Sequence, residues 1–127
     1  MEPTPEGFQV LATHASYRPE REVTLQKAID LVGAAIRYAR DNQIRMLLVD
    51  TTKLTGFESP TVTDRILLAE RFAVEAMGTV KIALLAKRSF IHPSRIGIIA
   101  GRNRGLLSEV FDSESSAMAW LLDPKAR

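Results

Sequence analysis

The apolar run Met46-Leu47-Leu48-Val49, followed at once by Asp50-Thr51-Thr52, limits the folds open to this chain more than any other stretch. Four consecutive apolar side chains leave no polar face for solvent, so the segment reads as a strand covered on both sides, the pattern of a parallel sheet flanked by helices. Asp50 and the two threonines stop it with side chains that hydrogen-bond their own backbone. A second run, Val80 to Ala86, is mostly apolar, as a central parallel strand is, and leads into Lys87-Arg88-Ser89.

Helical periodicity fills the spaces between the strands. From Leu25, apolar residues recur at Ala28, Ile29, Val32, Ala35, Ile36 and Ala39, which predicts a helix opening near Thr24 and closing at Asp41-Asn42. Ser59 before Pro60 reads as an N-cap with proline at the first helical position. The helix it opens runs to about Met77, with Val62, Ile66, Ala69, Phe72, Ala73 and Ala76 turned inward and Gly78 as its stop. Pro93 is expected to open a third helix that Gly105 ends, and Gly97 and Gly101 mark a close approach, expected to be against the sheet. Phe8 to Tyr17 reads as one first strand, Glu109 to Phe111 as the last, and Glu114 to Leu122 as a closing helix capped by Asp112 or Ser113. The expected fold is therefore a single α/β domain over residues 1–127, with a mainly parallel four-stranded sheet and helices on its faces.

Composition narrows the function. The 127 residues are 46% hydrophobic and 25% charged, ordinary for a globular domain, and contain no cysteine, which removes disulfides, thiolate nucleophiles and cysteine metal sites. No signal-peptide pattern or membrane-length apolar stretch is present, so a soluble, cytoplasmic protein is expected. Net charge is only +2, yet residues 76–108 carry Lys81, Lys87, Arg88, Arg95, Arg102 and Arg104 without one acid. Such a stretch suits either a solvated face or an acidic partner. The loop Thr51 to Gly56 has one glycine where a phosphate cradle needs two with a following lysine, and two histidines without cysteine do not make a closed zinc site. No catalytic set, metal or cofactor is therefore expected, and no specific nucleic-acid partner.

The order of elements, the Leu-Leu-Val-Asp strand end, the loop into Ser59 and the closing Val110-Phe111-Asp112 with Ala119-Trp120-Leu121 together resemble the SpoIIAA-like branch of the STAS family. That family comprises anti-sigma-factor-antagonist and sulfate-transporter domains. The resemblance implies a non-enzymatic regulatory or binding module. It also implies a phospho-acceptor serine in an Asp-Ser-Ser-Gly setting at the helix start, which Ser59 occupies within Glu58-Ser59-Pro60-Thr61. The same branch is similar to CRAL-TRIO-type domains, which implies a small apolar ligand or a peripheral membrane contact as the alternative. The residues expected to meet a protein partner or ligand are those of the strand-end loops: Asp50, Thr51, Glu58, Lys87, Arg88, His92 and Arg95. A homodimer is compatible with this reading.

Overall fold

The computed structural model describes residues 2–127. Its strands are β1 (Phe8–Val10), β2 (Ala15–Tyr17), β3 (Arg21–Glu22), β4 (Met46–Asp50), β5 (Leu54–Thr55), β6 (Lys81–Leu85) and β7 (Leu107–Phe111). Its helices are α1 (Leu25–Asp41), α2 (Val62–Ala76), α3 (Ile96–Asn103) and α4 (Glu114–Leu122), with a single 3-10 turn at Arg88–Phe90. The main sheet has five strands in the order β1-β2-β4-β6-β7, parallel except for the antiparallel β1. A small parallel ladder pairs β3 with β5.

The first departure from the expected four strands lies at the N-terminus. Phe8 to Tyr17 is a hairpin, β1 and β2, closed where the Leu11 N–H donates to the His14 carbonyl at 2.8 Å. No glycine or asparagine marks this turn, so nothing in Leu11-Ala12-Thr13-His14 interrupts a strand pattern. The central pair behaves as its apolar runs require. β4 and β6 lie side by side and parallel, with Met46 opposite Lys81 and Asp50 opposite Leu85, so the loops leaving both strands gather at one edge.

Register parity divides the core. Leu47, Val49 and Ile82 point to the face covered by Val32, Ala35, Ile36 and Ala39 of α1 and Phe72 and Ala76 of α2. Leu48, Ala83 and Leu85 point the other way, onto Ala117 and Leu121 of α4. Each new parallel strand is added on the same side of the last, so right-handed crossovers put α1, α2 and α3 together on one face. Only α4 covers the other.

Helix boundaries follow local chemistry, with three corrections. Thr24 caps α1, its hydroxyl accepting from the Lys27 N–H, and Ser113 caps α4 by accepting from Ser116. The cap of α2 is Thr61 rather than Ser59. Thr61 and Asp64 form a reciprocal capping box, which satisfies two otherwise free N–H groups and displaces the Ser-Pro pair into the preceding loop. Val62, expected inward, stands 45% exposed at the resulting first turn. α3 begins at Ile96 instead of Pro93, because Arg95 takes a left-handed conformation at φ +58° and turns the chain into the helix only there. Finally, Gly97 and Gly101 serve helix packing. A Cβ on Gly97 would lie 3.3 Å from Arg65 of α2, and one on Gly101 3.0 Å from Leu106 and 3.6 Å from Ala69, so α2 and the turn after α3 occupy the space predicted for the sheet.

Candidate functional site

The C-terminal edge of the parallel strands is roofed by two loops. The first leaves β4 and is held down at its start by Thr51, whose N–H and hydroxyl both donate to the Leu85 carbonyl, at 2.9 and 3.0 Å. It then pairs as β5 with β3, burying Leu54 to 2% exposure. The second leaves β6 through Lys87 and the 3-10 turn into α3. Phe57 of the first loop and Phe90 of the second meet edge to face, with ring centroids 5.9 Å apart. Beneath this roof, between the helical face and the ends of β6 and β7, lie two adjoining cavities of about 140 and 100 Å³.

Both cavities are apolar, and they share a wall made by Arg65, Leu68, Phe72, Leu84, Phe90 and Val110. Arg65 is the polar member of that wall. Its Nη1 donates to the Phe90 carbonyl at 2.8 Å and its Nη2 to the Ser59 hydroxyl at 2.9 Å. Its Nε is buried without a partner. Burial pushes this guanidinium below its ordinary pKa, only partly offset by the charge of Asp64, although an arginine so displaced remains a cation.

The strand-end loops bring the expected residues to one edge and then separate them. Thr51 and Lys87 line the larger cavity, and His92 and Arg95 the smaller. Asp50, Glu58, Ser59 and Arg88 line neither. Asp50 shares the parity of Leu48 and so lies on the α4 face. There its Oδ1 accepts from the Thr52 N–H and hydroxyl, and its Oδ2 accepts from Arg18, which also reaches Glu114 at 2.7 Å. This clasp joins the ends of β2 and β4 to the start of α4. Ser59 and Glu58 are exposed in the loop before α2. His92 Nδ1 accepts from the Ser94 N–H at 3.1 Å and lies 2.6 Å from the Ser94 hydroxyl, a local turn contact between near neighbours in the chain.

The basic segment finds in space the acids it lacks in sequence. Arg95 makes a two-point pair with Glu109 at 2.9 and 2.8 Å, and Arg102 joins the same carboxylate at 3.6 Å. Arg88 pairs with Asp112 at 2.7 Å and Arg104 with Glu70 at 2.6 Å. Lys81 donates to the Trp120 and Asp123 carbonyls. Lys87 alone of the six keeps no such partner among the described residues; its ammonium lies 5.6 Å from the centre of the Phe90 ring.

Three residues of this site, Phe57, Arg65 and Phe90, are absent from the sequence-based selection. One signal for Arg65 was available, since it precedes Ala69 by four and Phe72 by seven and so falls on the inward stripe of α2. No known family model and no curated protein matches the chain. Among the described residues no helix is long and apolar enough to cross a membrane.

Proposed function

We propose that the protein is a non-enzymatic, STAS-like binding module whose strand-end cavities take a small ligand with an apolar body. The observation that carries this reading is the pair of adjoining apolar cavities beneath two loops that each contribute one aromatic ring to the roof. An apolar cavity of about 150 Å³ accepts a benzene-sized molecule, so the larger of these, at about 140 Å³, has room for a ring and the smaller, at about 100 Å³, for a short alkyl chain. Both pockets open to solvent, so an apolar occupant would take their lining out of contact with water. Loops carried on a rigid strand scaffold are a common place for ligands, and the cavities lie under two such loops.

Ligand entry would pass between Phe57 and Phe90 and so reshape the rim that carries Glu58, Ser59 and Lys87. That gives a protein partner a surface that differs between the empty and filled states. A membrane-surface role draws less support, because the arginines that would meet anionic headgroups are engaged with Glu70, Glu109 and Asp112.

The test is uptake of a neutral apolar fluorophore, phenylnaphthylamine, followed by its emission. The wild-type protein is expected to bind it saturably, and Leu68→Trp, which places an indole in the shared wall, to lose that binding while keeping its circular dichroism. No uptake by the wild type, or equal uptake by the folded variant, would overturn the proposal.

A further inference from the structure

Five arginines of this chain are half-buried: Arg37, Arg40, Arg65, Arg71 and Arg102. Four of them reach a carboxylate within 4 Å: Arg37 with Glu2 and Glu75, Arg40 with Asp41, Arg71 with Asp30 and Glu75, Arg102 with Glu109. Arg65 reaches none among the described residues. Asp64, its neighbour in the chain, is turned back to accept from the Thr61 N–H in the helix cap. Arg65 thus stands in the wall of an apolar cavity with a full charge and two neutral acceptors.

A guanidinium has five N–H donors, and the Phe90 carbonyl and Ser59 hydroxyl account for two. The Nε is one of the remainder, buried without a partner as is that of Arg102, so what sets Arg65 apart is the missing carboxylate. A buried donor left unpaired is costly, and a desolvated cation without a counter-charge more so. The charges around the cavities point the same way. No acidic residue lines either one, whereas Lys87 lines the larger beside Arg65 and has no carboxylate partner of its own among the described residues. Arg95 lines the smaller cavity but is already saturated by Glu109.

We infer that the ligand is a small monocarboxylic acid whose carboxylate docks on Arg65 while its hydrocarbon part fills the cavities. This rests on the proposed ligand-binding function and adds the chemistry of the polar end. A planar carboxylate matches the planar guanidinium fork, and one negative charge balances Arg65, the half-buried cation of the two that lack a carboxylate, whereas Lys87 is exposed to water. A neutral alcohol of the same shape would leave that charge uncompensated.

Competition against bound phenylnaphthylamine tests this with matched pairs: octanoate against octanol, and hydrocinnamate against hydrocinnamyl alcohol. Each acid is expected to displace the probe at about tenfold lower concentration than its alcohol at neutral pH, the magnitude of a hydrogen bond to a charged group. Arg65→Gln is expected to abolish that ratio, and Arg65→Lys, which keeps the charge, to retain part of it. Should Arg65→Gln fail to fold, Lys87→Gln replaces it: the ratio must survive there, and its loss would move the carboxylate to Lys87 and overturn the assignment. Equal displacement by acid and alcohol in the wild type, or an acid preference that survives in folded Arg65→Gln, would overturn the carboxylate assignment while leaving the apolar cavity reading intact. Octyl phosphate outcompeting octanoate would overturn the choice of carboxylate in the same way. Failure of the wild type to take up the probe at all would overturn both.

Discussion

The two ends of α2 use arginine in opposite ways. At the C-terminal end Glu75 is buried to 8% exposure and serves Arg37 at 3.1 Å and Arg71 at 3.3 Å, while Arg40 donates to its backbone carbonyl at 2.9 Å. Arg71 also reaches Asp30 of α1 at 2.8 Å, so this network clamps the two helices together. At the N-terminal end Arg65 faces only a hydroxyl and a carbonyl, and the space beside it is hollow. A charge matched within the chain holds helices in place, whereas a charge left unmatched beside a cavity is arranged to meet something else.

Removing the charges should break this comparison most sharply. Glu75→Ala takes from Arg37 and Arg71 the carboxylate they share, leaving them Glu2 and Asp30, and is expected to cost about 2 kcal/mol, below the loss of a buried pair left with no counter-charge. Arg65→Gln removes an uncompensated cation together with its unpaired donor and should change stability by less than about 1 kcal/mol. Urea unfolding with unchanged slope is the measurement. If the two variants lost equal stability, the contrast between the ends would be void.

A smaller effect separates the residues at the start of α2. Thr61→Ala opens the capping box and should cost about 1 kcal/mol, while Ser59→Ala, which lies outside the helix, should cost under about 0.5 kcal/mol. Thermal melts of the two variants check the order.

The mildest contrast is in pH dependence. Hydrogen bonding to Arg71 holds the Asp30 carboxyl below its ordinary value, and Arg88 does the same for Asp112. The unfolded chain therefore binds these protons first on acidification, so their contribution is intact at neutral pH and is lost as pH falls below about 4 and through the lower native values. Burial, followed by the charge of Arg18, lowers the His14 pKa, which adds a gentler loss starting below about 6.5. In Asp30→Asn the step below pH 4 should shrink in urea titrations; a step of unchanged size would remove Asp30 from the account.

Much of the scaffold was legible because its causes are local. The unbroken run of β4, the mostly apolar run of β6, the three-and-four spacing of α1 and the stop at Gly78 each depend on neighbours in the chain. The first hairpin was not legible, since its turn lacks the residues that turns usually require. The cap of α2 was misplaced by two residues because Ser59-Pro60 and Thr61-x-x-Asp64 are both valid start signals, and only the second closes reciprocally. The site was readable in part. Loop residues such as Thr51, Lys87 and His92 follow from where strands end. The isolation of Arg65 depends on acids that are absent in space, and the pairing of the basic segment depends on Glu70, Glu109 and Asp112, which lie outside that segment or on another element.

The turn between β1 and β2 sits at the opposite pole of the sheet from the cavities, and residues 11–13 there are exposed. Since the chain has no cysteine, Ala12→Cys would create a unique thiol at that pole. A dye or a surface tether attached through it would leave the far edge open, so ligand uptake can be followed on immobilised protein without labelling the loops over the cavities.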